Sequence, residues 1–188
     1  MPADSKFRIV GIAGSLRRAS FNRSLLNAAV ELSPAQLPIA IHEIGTLPFY
    51  NQDVEDERVP DTVATLRQAV RDADAILIAT PEYNYGVPGV LKNAIDWLSR
   101  PPRQSALNRR PVAIMGASAG MTGTARAQMQ LRQAFVFTNS YVMCQPEVLV
   151  SHARDKFDGA GHLTDEPTRQ FLARFLNEFA SWISRVSA

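Results

Sequence analysis

The chain has 188 residues, of which 46% are hydrophobic and 20% are charged, and its net charge is only +2. This length suits one domain, so we expect residues 1–188 to form a single unit. The balanced composition excludes a disordered chain and offers no strongly basic surface for nucleic acid. The longest apolar runs fall far below the roughly 18 residues of a membrane span, so no membrane partner is expected.

A single cysteine, Cys144, excludes a disulfide framework. His42 and His152 do not belong to a metal-ligand motif, so no metal site is predicted. Residues 1–6 contain no basic stretch followed by an apolar one. We therefore expect no export signal and a cytoplasmic location.

Strand-like segments alternate with helical segments along the chain. The strands are predicted at residues 7–13, 39–44, 75–80 and 112–116 and within 141–150. The helices are predicted at residues 22–32, 61–72, 88–98, 124–136 and 166–185. The first, third and fourth strands are almost wholly apolar, which is typical of strands covered on both faces. This order predicts an open, mostly parallel sheet with helices on both sides and a ligand site beyond the carboxyl ends of its strands.

The segment after the first predicted strand is rich in hydrogen-bond donors. Ser15, Ser20 and Asn22 offer hydroxyl and amide groups, Arg17 offers a guanidinium, and free backbone N–H groups begin the next helix. This combination suits a phosphate, although an ordinary capped helix start also uses such residues. The dinucleotide fingerprint G-x-G-x-x-G and the triphosphate motif G-K-[ST] are both missing. A terminal monophosphate, as in a mononucleotide, is the better prediction.

The segment after the third predicted strand, residues 80–89, contains two prolines and two glycines. These residues make a stiff loop whose backbone donors and acceptors are fixed in direction. A planar heteroaromatic ring would fit such a rim, with Tyr83 or Tyr85 beside it. A plain strand-to-helix turn with packed tyrosines explains the same pattern.

Three runs of sequence carry a family resemblance. They are GSLRRASFNRS at residues 14–24, PEYNYGVPGVLKNAIDWLSRP at 81–101 and GASAGMTGTARAQMQLRQ at 116–133. With these runs in order, residues 7–150 resemble the NAD(P)H-dependent FMN reductases, flavodoxin-like oxidoreductases that include quinone, azo-dye and chromate reductases. The resemblance implies a three-layer α/β/α fold whose five-stranded parallel sheet has the order 2-1-3-4-5.

The same resemblance implies a bound FMN, with NADPH or NADH as co-substrate. Hydride would pass in a ping-pong cycle to a small-molecule acceptor such as a quinone, an azo compound, a flavin or a chromate-like oxyanion. The FMN phosphate would be held by Ser15, Arg17, Ser20 and Asn22, and the ring edge by Pro81, Glu82, Tyr83, Asn84 and Tyr85, with Ser118 in a third contacting loop. No catalytic acid or base is named, because the flavin supplies the chemistry.

The resemblance also implies a homodimer or a homotetramer. In such an assembly the segment of residues 47–53 would approach the partner's flavin. Arg126 and Glu147 stand where similar proteins place polar residues of the interface.

Two other functions compete with this interpretation. Residues 116–120 read GASAG, the G-x-S-x-G pattern of serine hydrolases, and it lies between a predicted strand and a helix as that motif requires. Ser118 would be the nucleophile, followed by Asp155 or Asp158 and then His162. Against this, no HGGG-like oxyanion segment is present. A flavodoxin-like electron carrier is the other alternative, and it would bind FMN while oxidising NAD(P)H negligibly.

Overall fold

A computed structural model describes residues 6–187; the first five residues, on which part of the export-signal expectation rests, lie outside this range. The strands are β1 (Ile9–Ala13), β2 (Ile39–His42), β3 (Ala75–Ala79), β4 (Pro111–Ala117), β5 (Tyr141–Val142) and β6 (Val148–Val150). The helices are α1 (Phe21–Leu32), α2 (Gln52–Glu57), α3 (Asp61–Asp72), α4 (Gly89–Leu98), α5 (Ala125–Phe137) and α6 (Glu166–Val186). Within residues 6–187, none of these helices has the length and hydropathy needed to cross a membrane.

The strands form one parallel sheet in the order β2-β1-β3-β4-β5. The flavodoxin-like order predicted from the sequence is confirmed. The predicted fifth strand differs in detail, because β5 pairs with the start of β4 and β6 pairs with its end. Pro146 lies between the two short strands and has no N–H to donate to the ladder, which disfavours a single continuous strand there.

Alternate residues of the central strands pack on opposite faces of the sheet. Ile9 and Leu77 join the core cluster with α1 and α6, whereas Val10 and Ile76 join the cluster with α3, α4 and α5. This alternation produces the three layers. The apolar stripe predicted on the last helix is buried against the first face, and its members are Leu172, Phe175, Leu176, Phe179 and Ile183.

The short helix α2 has no counterpart among the predicted elements. Its sequence, QDVEDE, has no apolar periodicity, and it buries no apolar side chain. Asn51 begins the helix, because its side chain accepts a hydrogen bond from the Asp53 N–H at 2.9 Å. The helix forms for tertiary reasons, since Glu55 is held by arginines from neighbouring elements.

Candidate functional site

A cleft of about 280 Å³ opens at the carboxyl edge of the sheet. Four loops surround it: the first loop (residues 14–20, after β1), the third loop (80–88, after β3), the fourth loop (118–124, after β4) and the fifth loop (151–165, after β6). It is lined by Ser15, Arg17, Ser20, Phe21, Asn22, Pro81, Glu82, Tyr83, Ala117, Ser118, Ala119 and Arg154. The structure therefore brings together all the predicted site residues except Asn84 and Tyr85.

The first loop delivers its polar groups to the start of α1. Ser20 is the N-cap of that helix, and its hydroxyl accepts a hydrogen bond from the Arg23 N–H at 3.4 Å. The first backbone N–H groups of a helix have no acceptor within the helix, so they are available to an anion. Arg17 lies beside them, with its Nη2 donating to the Ala19 carbonyl at 2.6 Å and its guanidinium over the Phe21 ring. The capped helix start predicted from the sequence is present, and it leaves room for the predicted anion site.

Asn22 joins α1 to the end of β4. Its Nδ2 donates to the Ala117 carbonyl at 2.9 Å, and its Oδ1 accepts from the Ala117 N–H at 2.8 Å. The side chain is almost completely buried. This pair of bonds fixes the distance between the first and fourth loops and commits most of the amide's hydrogen-bonding capacity to the protein itself.

The tip of the third loop is a two-residue hairpin. The Tyr83 N–H donates to the Gly86 carbonyl at 3.1 Å, and the Gly86 N–H donates back to Tyr83 at 2.9 Å. Asn84 and Tyr85 between them have φ of 50° and 65°, the left-handed region that the tight type I′ turn requires and that tyrosine rarely adopts. Such backbone strain is concentrated at functional sites. The turn places Tyr83 in the cleft, with its hydroxyl 3.3 Å from Ser15 Oγ.

Tyr85 lies outside the cleft, on the outer side of the turn. The Arg126 guanidinium is 3.6 Å from the centre of its ring, an arrangement that favours a cation–π contact. Asn84 shares this exposed tip. Contacts of both residues with an isoalloxazine ring stay predictions.

Glu82 fastens the third loop to α5. Its carboxylate accepts hydrogen bonds from the Arg126 N–H at 3.0 Å, the Ala127 N–H at 3.2 Å and Arg126 Nε at 2.6 Å. Burial raises the pKa of the Glu82 carboxyl, but the hydrogen bonds from Arg126 and Ala127 and the Arg126 charge outweigh it, so the net pKa lies below its usual value. The side chain is only 6% exposed, and its charge is neutralised within the protein.

This anchor predicts a pH dependence of stability. Because the pKa of Glu82 is lowered on folding, its contribution is fully present above the unfolded value of roughly 4.3 and is lost as the pH falls through the lower folded value. Urea unfolding of the wild type and of Glu82→Gln, measured from pH 7 to pH 3, should show a constant difference in unfolding free energy above about pH 5. The difference should shrink below about pH 4, and a difference that grows there would contradict the assignment.

The charges in the cleft do not cancel. Glu82 is paired with Arg126, which does not line the cleft. Arg17 and Arg154 do line it, and neither forms an ion pair with any residue between 6 and 187. Two uncompensated guanidinium groups, serine hydroxyls and a helix N-terminus together favour an anionic ligand.

The fourth loop does not have the geometry of a serine hydrolase. Ser118 Oγ accepts a hydrogen bond from the Gly120 N–H at 3.1 Å, and within the described residues it bonds to no histidine. His162 pairs instead with Asp158 at 3.0 Å, in a surface turn of the fifth loop. The Ser–Asp–His order in the sequence therefore does not become a triad, because a triad requires a base within hydrogen-bond reach of the nucleophile.

Four residues that line the cleft were not predicted: Phe21, Ala117, Ala119 and Arg154. The first three adjoin predicted residues in the chain, so proximity could have included them. Arg154 lies in the loop after β6, which is part of the predicted fifth strand. Only the general rule that parallel strands end at one edge of the sheet pointed to that loop. The sequence arguments concentrated on the loops after strands one, three and four.

A parallel sheet in this order, with a cationic and hydroxyl-lined cleft at its carboxyl edge, defines a flavodoxin-like protein that can hold a phosphorylated ligand. The family model described as NADPH-dependent FMN reductase matches residues 7–155. The chain belongs to this family, as its motifs predicted. It is accordingly an oxidoreductase with FMN as cofactor and NAD(P)H as co-substrate.

Individual relatives agree with the family assignment. The chain is 45% identical over 179 residues to an NAD(P)H-dependent FMN reductase of Pseudomonas aeruginosa, covering 95% of this chain and 96% of the relative. It is 42% identical over 176 residues to a 2-hydroxy-1,4-benzoquinone reductase of Burkholderia sp, covering 94% and 96%. Among solved structures, the flavoenzyme NAD(P)H:(acceptor) oxidoreductase FerB of Paracoccus denitrificans matches with a TM-score of 0.88 at 35% identity, covering 95% of this chain and 98% of that one.

Proposed function

We propose that the whole chain acts as one FMN-binding domain that transfers electrons from NADPH or NADH to quinones, and also to azo compounds, free flavins or chromate-like oxyanions. The observation that carries the proposal is the cleft itself, which is lined by Arg17 from the first loop and Arg154 from the fifth, neither in an ion pair within residues 6–187, and by Tyr83 of the strained turn. Relatives named for FMN and quinone reduction support the choice of acceptors. We place this activity in the cytoplasm, where NAD(P)H is regenerated.

The residues present fit FMN. Ser15, Arg17, Ser20 and the first turn of α1 supply the charge-assisted donors that a phosphate dianion needs, and Asn22 holds that turn against β4. Backbone groups of Pro81, Glu82, Tyr83, Asn84 and Tyr85 would meet the polar edge of the ring, with Ser118 in the fourth loop.

FMN, when bound, supplies the hydride-accepting and hydride-donating chemistry. The protein's part is to bind, orient and leave an open face. The carboxylate of Glu82 is fully engaged by α5, so we assign it to loop placement and not to proton transfer. We therefore name no catalytic acid or base.

A visible spectrum and a nicotinamide oxidation assay test the proposal together. Protein purified with added FMN should be yellow and should oxidise NADPH or NADH rapidly when a quinone is supplied as acceptor. A yellow protein with negligible NAD(P)H oxidation would indicate the electron carrier instead. A protein with no measurable affinity for FMN would contradict both.

Replacing Arg17 with alanine should raise the dissociation constant for FMN by about 10- to 100-fold, because a charge-assisted hydrogen bond contributes roughly 1.5–3 kcal/mol. Flavin fluorescence titration of the apoprotein measures this change. Arg18→Ala is the matched control, since Arg18 is exposed on the same loop and does not line the cleft. Equal losses in the two variants would mean that Arg17 acts only through general surface charge.

We also propose that the chain forms a homodimer or homotetramer. Phe49 is 85% exposed, and α5 presents Met129, Val136 and Phe137 to solvent at 60%, 79% and 88%. Apolar groups this exposed are typical of surfaces that meet a partner.

In the single chain Arg126 pairs with Glu82, and Glu147 lies 3.5 Å from Arg132, so any role for Arg126 and Glu147 in an interface would add to these contacts. The segment 47–53, which carries Phe49, is the part we expect to approach the partner's flavin.

A further inference from the structure

Arg154 lines the cleft from the fifth loop, and hydrogen bonds tie that loop to the residues next to the anion site. The Ala153 N–H donates to the Ser118 carbonyl at 3.0 Å, and the Ser118 N–H donates to the Val150 carbonyl at 2.9 Å. The residue before Ser118 is Ala117, which is bonded in both directions to Asn22 in the first turn of α1. The backbone next to Arg154 is thus linked to the first turn of α1 through the hydrogen bonds of Ser118 and Ala117.

A second, independent contact joins the fifth loop to the same turn. The rings of Phe21 and Phe157 lie 5.7 Å apart between centres. Phe21 is also the ring over which the Arg17 guanidinium lies. The third loop has a different attachment, because Glu82 fastens it to α5. Arg154 therefore belongs to the α1 end of the cleft.

The backbone that delivers Arg154 is strained. His152 has φ of 49° and ψ of 44°, a left-handed conformation that a non-glycine residue adopts at a cost. Its N–H donates to the Gly120 carbonyl at 3.1 Å, and a single 3-10 turn, Ala153–Asp155, follows it. This bend turns the chain back over the fourth loop and places the Arg154 side chain at the cleft.

We propose that Arg154 is a second phosphate-binding arginine, which contacts the terminal phosphate of FMN from the fifth loop while Arg17 contacts it from the first. This inference rests on the proposed function of the cleft. A guanidinium offers a planar fork that matches phosphate oxygens, whereas the uncharged ring of a flavin has no equivalent partner for it. The charge of a phosphate dianion also balances Arg17 and Arg154, which line the cleft and form no ion pair within the described residues 6–187.

Binding of FMN and of riboflavin to the apoprotein tests the assignment, because riboflavin has the same ring and ribityl chain without the phosphate. Arg154→Gln should raise the dissociation constant for FMN about tenfold and change that for riboflavin less than about twofold. Arg154→Lys keeps the charge and loses the fork, so it should recover part of the FMN affinity. Arg18→Gln, an exposed arginine outside the cleft, is the control and should alter neither constant.

Unchanged riboflavin binding also shows that the variant has folded. If Arg154→Gln weakened both ligands equally, Arg154 would be a structural residue and the assignment would be overturned. The assignment would also be overturned if FMN binding were unchanged while the KM for NADPH rose relative to that for NADH, because Arg154 would then contact the nicotinamide cofactor. If the wild type bound FMN no more tightly than riboflavin, the proposed phosphate site itself would fail, which is a different result.

Discussion

Glu55→Ala should lower the free energy of unfolding by about 3–5 kcal/mol, because it leaves a buried guanidinium without its counter-charge. Glu55 Oε1 lies 2.6 Å from Arg67 Nη2, and the two side chains are only 8% and 5% exposed. Arg67 also donates from Nε to the Trp97 carbonyl at 3.0 Å, so its position is fixed whether or not Glu55 is present. The arginine cannot move to water without breaking that bond.

The environment of Glu55 shows that the ion pair is formed in the folded state. Burial raises the pKa of the Glu55 carboxyl. The hydrogen bonds from Arg67 and Arg100 and the charges of these two arginines outweigh this effect, so the net pKa lies below its usual value. Arg100 Nε is 3.3 Å from Oε2, and the Tyr50 hydroxyl donates to the same oxygen at 3.3 Å. The Glu55 carboxylate therefore accepts hydrogen bonds from Arg67, Arg100 and Tyr50, and all three donors lose this acceptor in the variant.

Urea unfolding followed by circular dichroism at pH 7 measures the effect. Glu57→Ala is the matched control, since Glu57 lies on the same short helix, is exposed, and should change stability by less than about 0.5 kcal/mol. If the two variants were equally stable, the Glu55 pair would be no more important than a surface salt bridge.

The same substitution should loosen the segment of residues 47–57. Helix α2 buries no apolar side chain, so Glu55 is its main attachment to the body of the protein. Before it, the Pro48 carbonyl accepts hydrogen bonds from Asn93 Nδ2 at 2.9 Å and Trp97 Nε1 at 2.7 Å. Together with the packing of Leu47 on the core and of the Tyr50 ring on Trp97, these polar contacts hold the segment that carries exposed Phe49. A larger KM for the acceptor in Glu55→Ala would fit a role for this segment in the assembled site.

The fold could be predicted because its signals are local. Continuous apolar runs marked β1, β3 and β4, and the helical stripe of α6 is visible in the sequence alone. The buried Arg67–Glu55 pair could not be predicted in this way. Glu55 lies on α2 and Arg67 on α3, so no single helical pattern contains both. A charged run such as QDVEDE is also typical of an ordinary solvated surface.

The candidate site was predicted where one continuous loop carries the chemistry, as in residues 15–22 and 81–83. Arg154 was missed because its approach to the cleft depends on a left-handed His152 and on bonds to the fourth loop. Glu82 lines the cleft, but its carboxylate is bonded to Arg126 of α5, 44 residues away in sequence. Tertiary contacts of this kind leave no local pattern.

Gly116→Ala should destabilise the protein by about 3 kcal/mol, at the upper end of the usual cost of overpacking. A Cβ at this position would lie 1.9 Å from Thr124 Oγ1 and 2.6 Å from the Thr80 backbone carbonyl. Neither neighbour can move easily: Thr80 belongs to the backbone after β3, and Thr124 is fully buried and accepts a hydrogen bond from Gln128 Nε2 at 3.1 Å. The first glycine of the GASAG motif is therefore required by packing between β3, β4 and α5.

The variant should also bind FMN more weakly, because Gly116 directly precedes Ala117, Ser118 and Ala119, which line the cleft. Gly89→Ala is the matched control: nothing lies within 4 Å of a Cβ built at that position, and an alanine in the first turn of α4 should stabilise the protein by about 0.5–1 kcal/mol. Thermal unfolding and flavin titration of both variants measure the two effects. Equal melting temperatures would mean that β4 shifts to accept the methyl group, and the glycine would then have to be explained by close approach of a ligand alone.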